Sequence, residues 1–342
     1  MRGIGRIDSI QALRGIAATM VAGFHLYAAA LAETGAAGAF AVFRHGEAGV
    51  DIFFVISGFI ITLTAGMRPE QTATEFALAR FWRIFPPYWI ILALYLGLAA
   101  AARMATGSGQ ESPGMGALII SVLLLPYPAH VVVIAWTLSV EILFYALFCL
   151  TFVRFGARAF VGAMLVWVAL SQIYRGQDLV QSGWLDIALN TVVLEFLFGA
   201  AIAFLHLGGR RLLHLPALAL GIAGLGLMLA LPAPPWLGRE FAWGVPAALI
   251  VHGALGWRRA LPVPVVLWGD SSYILYLLHL LVFSVLGRVI GAALGSSAYG
   301  SGWVMLAMLA AAIGTAALAS LWLERPYLRW VKARMMRGQV QS

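Results

Sequence analysis

Long apolar runs, separated by short segments rich in Gly, Pro and Arg, make up most of the chain. An α-helix rises ~1.5 Å per residue, so about 20 apolar residues suffice to cross a bilayer. Ten runs are predicted as transmembrane helices, over residues 9–32, 49–66, 84–102, 131–153, 159–174, 185–207, 213–231, 240–256, 264–287 and 302–323. An eleventh run, 115–125, is too short to span comfortably and predicts a re-entrant or interfacial helix.

The runs are continuous rather than alternating, which favours helices over the strands of a membrane barrel. With 62% hydrophobic residues, 11% charged residues and a mean hydropathy of +0.91, the composition is that of a membrane protein. Although Arg2 and Arg6 make the N-terminus resemble a signal peptide, Arg14 and His25 inside the first run favour a retained helix. The predicted fold is an all-α polytopic membrane protein, with residues 1–342 forming one domain.

The distribution of positive charge predicts the topology. The net charge of +8 and the pI near 10.1 do not point to nucleic acid, because the basic residues are scattered between the spans. With ten spans and the N-terminus inside, 17 of the 22 basic residues lie inside and 5 outside. An eleventh span would change this distribution to 9 inside and 13 outside. The positive-inside rule therefore favours ten spans with both termini in the cytoplasm.

The first span carries two ionisable side chains, Arg14 and His25. Eleven residues of helix return to nearly the same face with roughly 16 Å of rise. Ionisable groups within a membrane usually face a protein interior and mark a function. The alternatives are that Arg14 is an interfacial anchor and that His25 has only a structural role. Their position on one helical stripe favours a functional site.

Further polar side chains are predicted at a depth similar to that of His25, in the outer half of three other spans. A base, carboxylates and hydroxyls at one depth are not expected of scattered structural residues, so we predict a common site. Its members are His25, Asp51, Ser57, Glu141, Tyr273 and His279.

Two arginines precede the third predicted span. Arg80 and Arg83 are three residues apart and share a helical face, just before Pro86 and Pro87. Guanidinium groups pair with phosphate bidentately, so this face suits a phosphate-bearing ligand; the alternative is ordinary anchoring at the cytoplasmic surface. Together with Arg14, these residues predict a cationic mouth on the cytoplasmic side.

Three shorter features concern packing rather than chemistry. Gly15, Thr19 and Gly23 form a stripe of small residues along which another helix can approach. Cys149 is the one cysteine of the sequence, which excludes an intramolecular disulfide and a cysteine-based metal cluster. The segment 324–326, Glu-Arg-Pro, predicts an ion pair and the end of the last span.

Taken together, the motifs resemble the acyltransferase-3 family of bacterial integral membrane acyltransferases. They occur in order along nearly the whole chain: Leu13-Arg14-Gly15 with His25, Gly49 to Phe59 ending in Ser-Gly-Phe, Arg80-x-x-Arg83 followed by Pro86-Pro87-Tyr88-Trp89, Trp136-Thr137-Leu138 to Glu141 and Tyr145, Ser272-Tyr273 to His279, and Glu324-Arg325-Pro326. Within the family the chain is most similar to exopolysaccharide O-acetyltransferases, through residues 10–14 and 243–250.

This resemblance implies a bacterial inner-membrane enzyme that moves an acetyl group from cytoplasmic acetyl-CoA to a hydroxyl of a cell-surface sugar. The acceptor is a glycan or lipid-linked saccharide, with membrane lipid as the surroundings and no metal or nucleic acid expected. Arg14, Arg80 and Arg83 would hold the CoA phosphates. His25 would act as general base or transient acyl carrier.

The remaining members of the predicted site receive supporting roles from the same resemblance. Glu141 or Asp51 would orient the imidazole of His25, and the thioester carbonyl would be polarised by His279, Ser57 or Tyr273.

Two other classes of function fit parts of the sequence. A proton-coupled transporter of a glycan or small molecule also uses intramembrane Arg, His, Glu and Asp, but no inverted repeat or matching pair of broken spans is evident. A scaffold in a glycan-export complex would leave His25 and Arg14 dispensable. Consumption of acetyl-CoA distinguishes the enzyme from both.

Overall fold

The computed structural model describes residues 7–106, 113–175, 183–209, 213–231, 236–257 and 259–340. Within these residues all regular secondary structure is helical. Eight helices are long and apolar enough to cross a membrane. The prediction of an all-α polytopic membrane protein is confirmed.

The helices cover most of the described chain. The α-helices are Asp8–Thr34, Gly49–Gly66, Ala73–Thr106, Met115–Leu123, Trp136–Phe148, Ala157–Tyr174, Trp184–Ala188, Val193–Leu207, His214–Ala230, Arg239–Ala242, Gly244–Ala254, Val263–Asp270, Ser272–Leu294, Gly302–Ala319 and Arg325–Val340. Short 3₁₀ helices are Gly38–Phe43, Gly46–Ala48, Val133–Ala135 and Ser296–Gly300, and π-helical turns are Cys149–Val153 and Ser320–Glu324.

Several predicted spans match single helices, but others are shorter or divided; the run 185–207, for example, forms the two helices Trp184–Ala188 and Val193–Leu207. The runs 213–231 and 240–256 correspond to helices of 17 and 11 residues, shorter than the eight membrane-length helices. The run 264–287 is divided at Ser271 into two helices. The run 115–125 forms a nine-residue helix, too short to span. Of the basic residues in the topology argument, those at positions 2, 6, 210, 211 and 258 lie outside the described residues.

The chain divides into two compact units, of which the first comprises Met1–Ile56, Arg211–Leu237 and Phe241–Ser342. Its packing centres on helix Asp8–Thr34. A Cβ atom at Gly15 would lie 2.6 Å from the ring of Trp268, whose Nε1 donates to Thr19 Oγ1 at 3.1 Å. A Cβ at Gly269 would lie 2.0 Å from the carbonyl of Gln11. Small residues thus allow close helix contact, as in other membrane bundles.

The second unit comprises Ser57–Arg210 and Gly238–Glu240, so the boundary lies inside helix Gly49–Gly66. Its core is aromatic. The rings of Phe144 and Phe196 stack at 4.1 Å between centroids, nearly parallel at 7°. A Cβ at Gly58 would lie 2.2 Å from the carbonyl of Phe196, so this glycine admits the neighbouring helix.

Contrary to the prediction from the sequence, the last helical segment does not end at Glu-Arg-Pro. The chain passes from Gly302–Ala319 through the π-helical turn and continues helical to Val340. A π-helical turn changes the hydrogen-bond register just before Pro326, which lies in the first turn of the following helix, where a missing N–H is tolerated. Arg325 forms an ion pair with a residue outside the segment, its Nη2 lying 2.8 Å from Asp270 Oδ2, while Glu324 Oε2 accepts from Ser320 Oγ at 2.8 Å.

Candidate active site

Two histidines from different helices meet in the first unit. His25, on helix Asp8–Thr34, and His279, on helix Ser272–Leu294, have ring centroids 4.9 Å apart. The Nε2 atom of His279 lies 3.2 Å from Nδ1 of His25. The two residues are 254 positions apart in the sequence, so the fold creates this pair.

Backbone carbonyls determine the tautomer of each ring. His25 Nδ1 lies 2.9 Å from the carbonyl of Val21, and His279 Nδ1 lies 3.1 Å from that of Leu275. A carbonyl only accepts, so each Nδ1 carries a proton when the ring is neutral. His279 Nε2 then has a lone pair and accepts from His25 Nδ1–H, which is shared with Val21. The Nε2 of His25 is left with a lone pair for use as a base.

Aromatic rings surround the histidine pair. Phe24 meets His25 edge-on at 5.3 Å, and Phe283 meets His279 edge-on at 5.7 Å. Tyr276 lies 6.1 Å from His279, and its own ring contacts Phe53 at 6.0 Å. His279 is fully buried, whereas His25 is partly accessible. His279 is therefore the inner residue of the pair, and His25 is the one that a reactant can reach.

Three other predicted site residues belong to the same unit. Asp51 is fully buried in the first turn of helix Gly49–Gly66, where the helix dipole favours a negative charge. Tyr273 lies in the first turn of helix Ser272–Leu294, six residues before His279 and therefore on a different helical face. Arg14 is half-buried, with Nη1 at 3.4 Å from Gln11 Oε1.

The second unit contains a polar cluster around Glu141. Ser57 Oγ donates to Glu141 Oε1 at 2.8 Å, and Tyr145 Oη donates to the same oxygen at 2.5 Å. Two hydroxyl donors on one carboxylate oxygen fix its orientation. Of the predicted site residues, Ser57 and Glu141 are therefore directly bonded, 84 positions apart in sequence.

Arg80 lies against two rings of this unit. Its guanidinium carbon is 5.4 Å from the Phe76 ring centroid and 5.7 Å from that of Tyr145, within the range of cation–π attraction. The Nε of Arg80 is buried and has no hydrogen-bond partner among the described residues. This arrangement suits an anionic ligand group.

The short helix Met115–Leu123 is held at its C-terminal end by neighbouring side chains. Trp89 Nε1 donates to the carbonyl of Val122 at 2.8 Å. Ser121 Oγ accepts from the Val131 N–H at 2.8 Å, and Ser139 Oγ donates to the carbonyl of Leu125 at 3.1 Å. These bonds satisfy backbone groups in a segment that has left the helix.

A buried histidine completes this connection. His130 Nε2 lies 3.0 Å from Ser139 Oγ, and the side chain lies outside the membrane-length helices. Burial lowers the pKa of His130 to about 4, because the charged form loses its hydration; a hydrogen bond to the backbone at Leu125 acts weakly in the opposite direction. This residue is therefore neutral in the folded protein near pH 7.

Sequence reasoning missed three aromatic residues of these clusters as site members. Tyr145 is four residues after Glu141, Phe76 is four before Arg80, and Tyr276 is three before His279. Each spacing places the pair on one helical face, so the signal was present in the sequence. Among the described residues, no group of three His, Cys, Asp or Glu side chains is arranged to hold a metal ion.

Comparisons with known proteins identify the family. The family model described as an acyltransferase domain matches residues 7–325. The exopolysaccharide production protein ExoZ of Rhizobium meliloti (strain 1021) is 33% identical over 314 residues, covering 85% of this chain and 92% of the relative. The acyltransferase MdmB of Streptomyces mycarofaciens is 27% identical over 330 residues, covering 84% and 82%. No solved structure matches the chain with statistical significance.

The family match covers almost all of the described helices and both polar clusters. The resemblance inferred from the ordered motifs is therefore confirmed, as is the expectation of an enzyme. The chain belongs to the acyltransferase-3 family and is a multi-pass membrane acyltransferase.

Proposed function

We propose that this enzyme transfers an acetyl group from acetyl-CoA to a hydroxyl of a cell-surface or exopolysaccharide sugar. Membership of the family supports acyl transfer, and the printed name of the Rhizobium relative, an exopolysaccharide production protein, supports a saccharide acceptor. The observation that carries the proposal is the contact of His25 Nδ1 with the Val21 carbonyl and with His279 Nε2, from which we infer that His25 Nε2 is available as a base.

His25 acts as the general base. Its Nε2 takes the proton of the acceptor hydroxyl as the oxygen attacks the thioester carbonyl. The C–S bond then breaks, and the imidazolium returns the proton to the CoA thiolate. A positioned base of suitable pKa contributes typically 10²–10⁴-fold to the rate. In the alternative route, Nε2 attacks the thioester carbonyl, the C–S bond breaks and CoA thiolate leaves. The acceptor hydroxyl then attacks the acyl group, the C–N bond to His25 breaks, and the hydroxyl proton neutralises the thiolate.

His279 supports this base by accepting the Nδ1–H of His25. As His25 takes up a proton, its Nδ1–H becomes a stronger donor, and the lone pair on His279 Nε2 stabilises the imidazolium. For the orienting role we favour His279, which contacts His25 directly, while Glu141 Oε1 accepts from the Ser57 and Tyr145 hydroxyls. Asp51 remains a candidate for orienting the imidazole, and Tyr273 for polarising the thioester carbonyl.

Three arginines bind the donor. We assign the CoA phosphates to Arg14, Arg80 and Arg83, since guanidinium groups recognise phosphate through paired N–H donors. The buried, unpartnered Nε of Arg80 fits this assignment. Arg14 precedes His25 by eleven residues on one helix, a rise of roughly 16 Å that matches the reach of a pantetheine arm.

The distribution of positive charge supports cytoplasmic termini, and membership of the family supports a location in the bacterial inner membrane. In that orientation Arg14, Arg80 and Arg83 lie toward the cytoplasm, where acetyl-CoA is made available, and His25 lies toward the outer side.

Turnover of labelled acetyl-CoA by the purified full-length protein in detergent tests the proposal, comparing wild type with His25→Ala and Arg14→Ala. We expect CoA release or protein-bound label in the wild type and its loss in His25→Ala with the fold intact. Arg14→Ala should raise the KM for acetyl-CoA. A protein that neither binds nor consumes acetyl-CoA, with candidate glycans present, would overturn the proposal in favour of transport.

A further inference from the structure

Tyr145 contacts a carboxylate and a guanidinium at the same time, through different parts of its side chain. Its hydroxyl donates to Glu141 Oε1, while its ring face lies 5.7 Å from the Arg80 guanidinium. Phe76 covers the guanidinium at 5.4 Å and stands perpendicular to Tyr145, at 88° with 6.3 Å between centroids. Arg80 is thus held by two rings, one of which is anchored by a hydrogen bond.

Contact through ring faces has a specific consequence for Arg80. A guanidinium has five N–H donors, and attraction between its charge and a ring face provides none of them with a hydrogen-bond acceptor atom. Arg80 Nε–H is buried and without a hydrogen-bond partner among the described residues. Holding Arg80 in this way fixes its direction while leaving donors for a ligand.

The bond to Glu141 strengthens this contact. A phenol that donates to a carboxylate gains electron density in its ring, and a more electron-rich ring attracts a cation more strongly. Ser57 donates to the same Glu141 oxygen and holds it in place. The chain of contacts therefore runs from Ser57 through Glu141 and Tyr145 to Arg80.

We propose that Tyr145 is a positioning residue for donor binding, which holds the Arg80 guanidinium so that its N–H donors meet an anionic group of the acyl donor. This inference rests on the proposed function, because it takes a phosphate of acetyl-CoA as the ligand of Arg80. Tyr145 does not touch the reacting atoms, so its effect belongs to KM rather than kcat.

Two substitutions separate the ring from the hydroxyl. Tyr145→Leu removes the ring, and we expect the KM for acetyl-CoA to rise about threefold to thirtyfold, the range that corresponds to a cation–π contact. Tyr145→Phe keeps the ring but loses the bond to Glu141, so a smaller rise, of about twofold to threefold, is expected. Neither should change kcat more than about twofold, whereas misfolding would reduce the active fraction and kcat. Phe85→Leu is the matched control, since Phe85 contacts Phe81 and Trp89.

A double-mutant cycle with Arg80→Ala then tests whether Tyr145 acts through Arg80. The dissociation constant of unacylated CoA is measured for full-length wild type, Tyr145→Leu, Arg80→Ala and the double variant. If Tyr145 only positions Arg80, removing its ring in the Arg80→Ala background should have no further effect.

The outcomes distinguish this inference from the proposed function. Wild-type protein that does not bind CoA contradicts both. If wild type binds and Arg80→Ala binds weakly, but Tyr145→Leu binds normally, Tyr145 has no positioning role while the function stands. Equal weakening by Tyr145→Leu in both backgrounds also overturns the inference, because Tyr145 would then act independently of Arg80.

Discussion

The two polar clusters stabilise their ionisable groups in opposite ways. In the first unit, His25 and His279 are satisfied by carbonyls and by each other, within a shell of aromatic rings. In the second unit, Glu141 accepts hydrogen bonds from two hydroxyls, and the Arg80 guanidinium lies against two aromatic ring faces. One cluster brings together two imidazoles, and the other holds a carboxyl group and a guanidinium in fixed positions.

This contrast suggests a division of work. A general base must change its protonation state during a reaction, so strong, permanent charge compensation would hinder it. A group that binds phosphate must keep its charge and direction throughout, so it benefits from rigid neighbours. The histidine pair suits the chemical step, and the Glu141 cluster suits the binding of the donor.

The largest expected effect separates these two roles directly. Replacing His25 by Ala should lower kcat about 10²–10⁴-fold, because the base is removed. Replacing Glu141 by Gln should leave kcat within about tenfold and mainly change the KM for acetyl-CoA. Steady-state transfer of labelled acetyl measures both, with His45→Ala as a control histidine of the same unit. Equal losses of kcat in the two variants would remove the distinction between the clusters.

Acid should affect stability through a histidine of the second unit. The pKa of His130 is about 4 when folded and near 6.5 when unfolded, so the unfolded chain binds the extra proton between these values. The contribution of His130 to the free energy of unfolding is fully present above pH 6.5. It is lost as the pH drops toward 4, and the loss is at most on the order of 3 kcal/mol. Melting curves in detergent between pH 7 and pH 4 should show a smaller loss for His130→Gln. If the melting temperatures of wild type and His130→Gln fall equally with pH, His130 is not responsible for the loss of stability in acid.

The orienting role of His279 predicts a difference between two replacements. Leucine removes the acceptor for His25 Nδ1–H, so kcat should fall roughly 10- to 100-fold, as when outer partners of other functional groups are lost. Glutamine offers an oxygen acceptor and should restore part of the rate. The KM for acetyl-CoA should stay unchanged in both variants. A glutamine variant no better than leucine would argue against the shared hydrogen bond.

Close helix contacts in the two units predict matched losses of stability. Alanine at Gly269 or Gly58 brings a Cβ to 2.0 or 2.2 Å from the carbonyl of Gln11 or Phe196, so each should cost about 1–3 kcal/mol. Gly97→Ala is the control, because a Cβ there meets nothing within 4 Å. Thermal unfolding in one detergent measures all three. A stable Gly58→Ala or Gly269→Ala protein would show that the helices separate easily.

Much of the helical framework could be predicted from the sequence because long apolar runs leave few alternatives in a membrane. The break at Ser271 could not, since apolar residues on both sides give the run a continuous average hydropathy. The π-helical turn at Ser320–Glu324 could not be predicted either, because it alters the hydrogen-bond register without leaving a mark in the composition.

Contacts between site residues that are close in the sequence could be predicted. Pairs on one helical face, such as Glu141 with Tyr145, follow from spacing alone. Depth in the membrane placed His25 and His279 at one level, but their contact depends on how each helix is rotated about its axis. That rotation is set by packing at Gly15, Gly269 and similar contacts, which a single sequence does not reveal.

The short helix Met115–Leu123 has a consequence for the order of folding. Where this helix ends, two backbone carbonyls accept hydrogen bonds from side chains of other helices. One donor is Trp89, on a helix that precedes it in the chain, and the other is Ser139, on a helix that follows. In lipid, backbone groups without such partners are costly, so this segment cannot settle before residue 139 has been synthesised. We therefore expect the segment to stay near the membrane surface during biosynthesis and to reach its final position only after the next helix has been inserted.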